Sequence, residues 1–528
     1  MPPQTLFIHP KEVDRIRAQS TRIQLTLQST TGTKRLTQSA HALRSAAIHA
    51  DLMADFSLSS LHTSDVDVTT LILRSPYPPC LLAIADLEPM TLSELRMHTH
   101  HRGKVLTVTI SSPVVKRAES SWVVVKARAE GPDHSNGDSD NDGERMELYL
   151  HQALHEGVEM LEAGEVFHVK EPFFTLNDRG EQTVRVDHPS DLVVVEQYKL
   201  VDDYSIKASS QPHPVKSRLT EQTIANHDFK KLLSSLSKGK PHIAAADQRN
   251  STRVSSSPGR GRGLFATGAI KTGDIVLVEK AFCTAAPHTA LFYSSQDDII
   301  RAAPLGLHRA VLQKLMANPG QIESVLDLYS GEYAGVGKKL TMADGRPVLD
   351  AFRVAEIIAR NAFGAGGQFG EEDKGNASAG LWIRASYINH SCLPNLTHSV
   401  QGDVLGFRAC RDIAAGEELL HSYDSTPDLD ARRAALARQW DFECECALCV
   451  AEDADGPEVG AKRQRLVDDV QRFVKSEEAA RAKRVAVVRA RRMAAALGGT
   501  YDEVRYRELP RKAMGEIQAW LARAPVYR

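Results

Sequence analysis

The sequence predicts a multidomain α+β protein, and three observations lead to that fold class. The chain has 528 residues, more than one hydrophobic core normally supports. Between residues 98 and 197, short segments with alternating apolar side chains favour β-strands. Over residues 451–528 the pattern is helical and predominantly basic. We therefore expect β-rich domains followed by C-terminal helices.

Composition excludes several classes of protein. Lys and Arg (65) nearly balance Asp and Glu (67), so the overall charge points neither to nucleic acid nor to an anionic membrane. The start Met1–Thr5 lacks the pattern of a signal peptide, and no stretch is apolar enough to span a bilayer. Seven cysteines, four of them in or just before a C-terminal cluster, suit a reducing compartment. We expect a cytoplasmic or nuclear protein.

The N-terminal half contains few functional signals. Residues 1–97 are poorly defined, with a helical pattern at Pro10–Leu27 and a short strand at Thr69–Leu73. Residues 198–252 form a polar linker with one short helix at Arg218–Phe229. Residues 98–197 predict a small β-barrel-like domain, for which an OB-like fold is one candidate. Its strand candidates are Lys104–Ile110, Trp122–Val125, Glu147–Leu150, Val166–Val169 and Leu192–Val195.

Two binding functions of the barrel-like domain can be weighed. Some small barrels bind nucleic acid through aromatic and basic faces. Here Phe173 and Phe174 have no basic stripe on the strands, so packing or protein contact is favoured. The loop at 131–143 contains the aspartate spacing that begins an EF-hand, but its twelfth position is Tyr149 rather than glutamate. We expect neither direct nucleic-acid binding nor a calcium site.

Residues 253–450 form the next predicted domain. Asp274–Val278 reads as a strand, residues 288–360 are mostly helical in pattern, and Phe369–Ala379 is a Gly- and acid-rich loop. Beyond this domain, the basic run Arg481–Arg492 fits the solvated face of an amphipathic helix better than a nucleic-acid or nuclear-import patch.

A cysteine cluster predicts a structural zinc site. Cys444, Cys446 and Cys449 are close enough for one loop to turn three thiolates toward a point. Zinc takes four ligands in such sites, and Cys392 is the natural fourth. Incidental buried thiols or a redox pair are the alternatives. A zinc ion would pin the segment 440–450, with Phe442, beside the Asn-His segment, and a closed shell would leave no position for metal catalysis.

Three further motifs are weak when taken singly. The run Gly261–Gly263 lets the backbone approach a ligand closely, although a tight turn explains it as well. Asn389 and His390 fit a capped turn and a satisfied core histidine. Tyr423 alone fits a buried aromatic residue with a bonded hydroxyl. Their joint order along the chain, with the cysteine cluster following, makes a chance assembly remote.

In this order the motifs resemble the SET domain of protein-lysine methyltransferases, over roughly residues 253–450. The resemblance implies a β-rich fold with a pseudoknot, S-adenosylmethionine as cofactor and a channel for the target lysine. Phe363 and Tyr387 should border that channel, and the catalytic Tyr423 should lie beside the transferring methyl group. The residues placed at the cofactor are Gly261, Arg262, Gly263, Asn361, Ser386, Asn389, His390, Tyr423 and Phe442.

The family's chemistry is simple in physical terms. The cofactor supplies a reactive methyl group, so the protein mainly aligns donor and amine and excludes water. A lysine with an ordinary pKa of about 10.4 is a cation, and an apolar channel favours its neutral, nucleophilic form. Tyr423, with backbone carbonyls, would orient the amine.

The runs Glu171–Phe173 and Gly380–Trp382 resemble the subfamily that joins a SET domain to tetratricopeptide repeats, and Asn361 and Phe363 resemble the SET-and-MYND family. Three departures stand out: the repeat block is not evident between about residues 200 and 218, no cysteine-rich insert follows the glycine turn, and Asp441 replaces a usual glycine. We predict S-adenosylmethionine-dependent methyl transfer to lysine side chains of a protein substrate, histone or non-histone. The alternatives are a SET-fold interaction module with little or no turnover and, more weakly, a barrel-mediated nucleic-acid binder.

Overall fold

The computed structural model covers both halves of the chain. The predicted helices at Pro10–Leu27 and Arg218–Phe229 and the loop at 131–143 lie outside the described residues, as does most of the loop Phe369–Ala379. The residues that the structure describes are 71–74, 77–110, 115–116, 123–128, 145–150, 166–176, 182–194, 248–249, 251–285, 289–294, 299–333, 335–365 and 378–525.

The N-terminal half is a mixed β-sheet in the described residues. The first strand, β1 Leu71–Arg74, belongs to a separate sheet. The strands of the mixed sheet are β2 Glu88–Met90, β3 Thr99–His100, β4 Lys104–Ile110, β5 Val115–Lys116, β6 Val123–Arg128, β7 Arg145–Leu150, β8 Val166–Lys170, β9 Phe173–Leu176, β10 Gln182–Val186 and β11 Leu192–Val194. All five strand candidates of this region are therefore strands, as is the one predicted at Thr69–Leu73. The order β11-β8-β4-β6-β7-β10-β9-β3 is an open path, so the predicted barrel is not confirmed.

This sheet is attached to the central domain by buried polar contacts. The Lys170 ammonium, whose side chain is fully buried, lies 3.0 Å from the Asp344 carboxylate. The His188 ring accepts a hydrogen bond from the Ala351 N–H at 3.1 Å and contacts the Tyr77 carbonyl at 2.8 Å. Because unpaired buried polar groups are costly, these contacts hold the sheet in a defined position.

The central domain is built from short sheets. Its strands are β12 Gln248–Arg249, β13 Thr252–Ser257, β14 Gly261–Ala266, β15 Ile275–Lys280, β16 Cys283–Ala285, β17 Thr289–Ser294, β18 Ile299–Pro304, β19 Met342–Ala343, β20 Arg346–Pro347, β21 Ala362–Ala365, β22 Ser378–Leu381, β23 Asn389–His390, β24 Leu396–Gln401, β25 Val404–Ala409 and β26 Leu420–His421. The predicted strand at Asp274–Val278 corresponds to β15. Parallel pairing of β23 with β26 puts the Asn-His segment beside the segment that leads to Tyr423.

The segment 288–360 is only partly helical. It contains helices α1 Leu305–Ala317, α2 Ile322–Leu326 and α3 Ala351–Asn361, and the Asp350 carboxylate caps α3 by accepting from two backbone N–H groups at 3.1 Å. The prediction was wrong for residues 289–294 and 299–304, which are the antiparallel strands β17 and β18, with β17 also paired to β1. Pairing with a strand more than 200 residues away overrides the local helical pattern.

The C-terminal region is helical, as predicted. Its helices are α4 Leu429–Trp440, α5 Ala447–Asp453, α6 Pro457–Val474, α7 Glu477–Arg481, α8 Arg484–Gly498 and α9 Gly515–Arg523. Their apolar faces share one core with the cysteine cluster, and Val470, Phe473 and Leu497 are buried in it. Among the described residues, no helix combines the length and hydropathy that a bilayer crossing needs.

Candidate functional site

A glycine turn and an asparagine meet at one side of the site. The hairpin β13–β14 turns at residues 258–260, and Gly261, the first residue after the turn, has a φ of +72°, the left-handed conformation that glycine adopts easily. The Asn389 amide donates to the Arg262 carbonyl at 3.0 Å and to the Glu418 carboxylate at 2.8 Å. A Cβ on Gly263 would clash with Glu418 and come within 3.0 Å of the Asn389 amide. A side chain here would therefore push the Glu418 carboxylate away from Asn389.

The catalytic candidate Tyr423 is held at both its backbone and its hydroxyl. Its N–H donates to Nδ1 of His390 at 2.9 Å, and its hydroxyl donates to the Ile388 carbonyl at 2.9 Å. Burial, reinforced by the Glu418 carboxylate, raises the pKa of Tyr423 above its ordinary value. The phenol is therefore neutral at physiological pH and is a hydrogen-bonding group rather than a base.

Aromatic rings surround Tyr423. Its ring centroid lies 5.0 Å from that of Trp440 and 6.3 Å from that of Phe442. Phe442 is also 5.7 Å from His390, which places it beside the Asn-His segment. Such close, tilted pairs are favourable contacts between rings, and they give this side of the site an apolar wall.

Two further predicted cofactor residues lie together. The Asn361 amide donates to the carbonyls of Tyr329 and Ile357 at 2.8 and 2.7 Å. The Ser386 hydroxyl lies 2.7 Å from the Trp382 carbonyl and 3.4 Å from that of Asn361. Both side chains are therefore engaged with backbone carbonyls of the central domain.

Arg262 and Tyr387 converge on a residue that the sequence did not indicate. Asp327, just after α2, pairs with the Arg262 guanidinium and accepts a hydrogen bond from the Tyr387 hydroxyl at 2.7 Å. Burial and this carboxylate raise the pKa of Tyr387 to about 12. Asp327 is about 60 residues away in sequence from both Arg262 and Tyr387. No local sequence pattern predicts these contacts.

The four predicted zinc ligands are adjacent. The sulfur atoms of Cys392, Cys444, Cys446 and Cys449 all lie within 4.8 Å of one another, and those of Cys392 and Cys449 are 3.5 Å apart. A tetrahedral zinc site with Zn–S bonds of about 2.3 Å has sulfur atoms roughly 3.8 Å apart. The sulfur donors and their spacing therefore fit a structural zinc ion.

An ion pair fixes the residue before Phe442. Asp441 has a φ of +60°, and its carboxylate accepts from the Arg360 guanidinium at 2.8 and 3.1 Å. The Trp440 indole N–H also donates to the Arg360 carbonyl at 2.8 Å. The usual glycine is thus replaced by an aspartate, a residue that tolerates this conformation, and the end of α3 is tied to the cysteine segment.

Comparison with known proteins identifies the central domain. Residues 261–424 match the family described as "SET domain". The chain carries a SET domain. A Gibberella zeae protein named "Methyltransferase" is 23% identical and covers 77% of this chain and 74% of its own length. The SET domain is also similar to those of SMYD-type methyltransferases.

Two relatives match shorter stretches. "Potential protein lysine methyltransferase SET6" of Saccharomyces cerevisiae is 41% identical over 17% of this chain and 26% of its own length. "Histone-lysine N-methyltransferase SMYD3" of Mus musculus is 33% identical over 25% of this chain and 30% of its own length. The chain thus matches less than a third of either protein.

The SET domain contains site residues that sequence reasoning missed. Glu418 lies in the Gly-Glu-Glu-Leu run that precedes Tyr423, so a signal was present although no role was assigned to it. Arg360 directly precedes Asn361, and its pairing with Asp441 depends on the folded chain. His421, two positions before Tyr423, also lies in the aromatic cluster.

Proposed function

We propose that this protein transfers the methyl group of S-adenosylmethionine to lysine side chains of proteins. The observation that carries the proposal is the pairing of β23 with β26, which brings Asn389, His390 and Tyr423 to one place. The SET domain and the relatives named as lysine methyltransferases support lysine methyl transfer in general. A protein substrate in the cytoplasm or nucleus, histone or non-histone, belongs to the same proposal.

The residues around the glycine turn fit the cofactor. The open backbone at Gly261, the polar groups of Asn389 and the aromatic face of Phe442 would hold its amino acid and adenine parts. When bound, the cofactor supplies an electrophilic sulfonium methyl group. The protein's own contribution is to orient the two reactants and to exclude water.

Tyr423 acts in this proposal as a neutral orienting group. Its hydroxyl hydrogen is engaged by the Ile388 carbonyl, which leaves the oxygen lone pairs to accept from a target amine. The amine would lose its proton to solvent before attack, because the raised pKa of Tyr423 makes the phenol unsuited to act as a base.

We further propose that a zinc ion held by the four cysteines has a structural role. All four sulfur atoms lie in one compact group. Four cysteine ligands complete the tetrahedral shell of a zinc ion, so no coordination position is left for a substrate or a catalytic water. The ion would fix the start of α5, and through the short link to Phe442 it would fix one wall of the cofactor site.

Calorimetric titration with S-adenosylmethionine tests the cofactor site. We expect Gly263→Ala to weaken binding by about tenfold, because its Cβ would displace Glu418 and disturb the Asn389 amide that Glu418 holds. Gly268→Ala is the matched control, since a Cβ there meets nothing within 4 Å. Equal binding by both variants would contradict the site. Cofactor binding without methyl transfer would favour the interaction module instead.

A further inference from the structure

Two histidines lie against the predicted channel residue Phe363. The His421 ring stacks on Phe363 with centroids 5.5 Å apart and planes 25° apart. The His398 ring meets Phe363 edge-on at 5.8 Å, and the two imidazoles are 5.4 Å apart. β24 and β26 therefore each contribute one imidazole to the same aromatic cluster.

His421 also touches the catalytic candidate. It lies two positions before Tyr423, and the ring centroids are 4.8 Å apart. His421 thus contacts Phe363, which is expected to border the lysine channel, and Tyr423, which is expected beside the transferring methyl group. A wall of the channel that would otherwise be apolar contains a polar ring at this point.

The polar ring of His421 has unused bonding capacity. The residue is 5% exposed, and its Nδ1 makes no hydrogen bond in the described part of the chain. The Ser422 backbone interacts with the ring but completes no hydrogen bond to Nδ1. Burial, together with His398 and His390, lowers the pKa of His421 well below its ordinary value. A neutral imidazole carries one acceptor nitrogen, and a buried polar atom without a partner calls for a ligand or a water.

We propose that His421, supported by His398, lines the lysine channel and accepts a hydrogen bond from an N–H of the target amine. This inference rests on the proposed function. Each methyl group added to the amine replaces one N–H. An acceptor in the channel therefore favours amines that keep an N–H and disfavours the dimethylated amine as a substrate. The products are mono- and dimethyllysine, with little trimethyllysine.

Product analysis with the full-length chain tests the role of His421. The probe is tritiated S-adenosylmethionine with whole-cell protein extract as acceptor, followed by hydrolysis and separation of the three methyllysines. We expect His421→Leu to lower total transfer about tenfold, the effect of losing one hydrogen bond to the reacting amine, and to raise the share of trimethyllysine. His421→Asn, whose amide can accept near the position of Nδ1, should restore most of the transfer. His168→Leu, in the N-terminal sheet, is the control and should behave as wild type.

The outcomes separate this inference from the proposed function. Cofactor affinity and thermal melting are measured on each variant, so that a folding defect is recognised. Transfer by folded His421→Leu at the wild-type rate, with the wild-type product pattern, would overturn the role of His421 alone. Failure of folded, cofactor-binding His421→Asn to exceed His421→Leu would do the same. Absence of transfer by the wild-type chain would overturn the proposed function and this inference with it.

Discussion

His390 Nδ1 accepts a hydrogen bond from the Tyr423 N–H at 2.9 Å, while its Nε2 lies 3.4 Å from the Cys392 sulfur. Because Nδ1 is the acceptor, the ring proton belongs on Nε2 and faces the sulfur. One imidazole therefore joins the cysteine cluster to the catalytic candidate, and its tautomer is set by these two partners.

Replacing His390 should destabilise the fold. His390→Leu leaves the Tyr423 N–H without its acceptor, and we expect the free energy of unfolding to fall by about 1–3 kcal/mol. Urea unfolding in the presence of zinc measures the change. The half-buried His168→Leu is the control and should lose less than half as much; equal losses would mean that the link has no special role.

The cysteine cluster should bind one zinc ion per chain. Cys392→Ser removes one of the four sulfur donors, so metal content and melting temperature should both drop, and S-adenosylmethionine should bind more weakly because Phe442 loses its support. Cys410→Ser replaces an exposed cysteine and should change neither quantity. Full zinc content in Cys392→Ser, measured by plasma mass spectrometry, would contradict the four-cysteine site.

The backbone at Asp441 predicts an order of stabilities. Asp441→Ala loses the ion pair with Arg360 and places alanine at a φ of +60°. Asp441→Gly loses the same ion pair but suits that conformation, so it should be more stable than the alanine variant by about 1 kcal/mol. Guanidinium unfolding compares the two. If alanine is tolerated as well as glycine, the left-handed conformation is not maintained in solution.

Buried histidines should make stability depend on pH. Burial, together with His398 and His390, keeps the pKa of His421 well below the 6.5 of a free imidazole, and the Tyr423 ring is a further neighbour. Below pH 6.5 the unfolded chain therefore binds a proton that the folded chain excludes. Above pH 6.5 the imidazole of His421 is neutral in both states, so it does not reduce the free energy of unfolding. As the pH falls below 6.5, that free energy decreases.

The size of this effect can be isolated. Between pH 6.5 and 5.5, His421→Asn should reduce the slope of unfolding free energy against pH by up to about 1.4 kcal/mol per pH unit. Other histidines with lowered pKa values, His98, His100, His168 and His398, should leave a residual slope. An unchanged slope would mean that His421 titrates normally in the folded chain.

Sequence order was sufficient to predict that the Asn-His segment and the four cysteines lie close together. The Asn-His segment and the Cys-x-Cys-x-x-Cys run are each recognisable locally, and together they predicted that Cys392 joins the three later cysteines. Alternating residues likewise predicted strands such as β4. These features are local in the chain, so their signals survive without knowledge of the fold.

Contacts between distant segments could not be predicted in the same way. Nothing around Asp327 indicates that it will meet Arg262 and Tyr387, and the pairing of β17 with β1 depends on a strand far away in the chain. Closure of a sheet also depends on the pairing of its edge strands, so strand patterns alone did not distinguish the open sheet from a barrel.

The most direct measurement is methyl transfer by the wild-type chain and Tyr423→Phe, side by side. Tritiated S-adenosylmethionine is incubated with whole-cell protein, and the labelled residue is identified after hydrolysis. We expect methyllysine from the wild type and at least about a hundredfold less from Tyr423→Phe, since orientation of the amine can supply that factor, with cofactor binding by the variant preserved. No methyllysine from a wild-type chain that binds the cofactor would contradict the account.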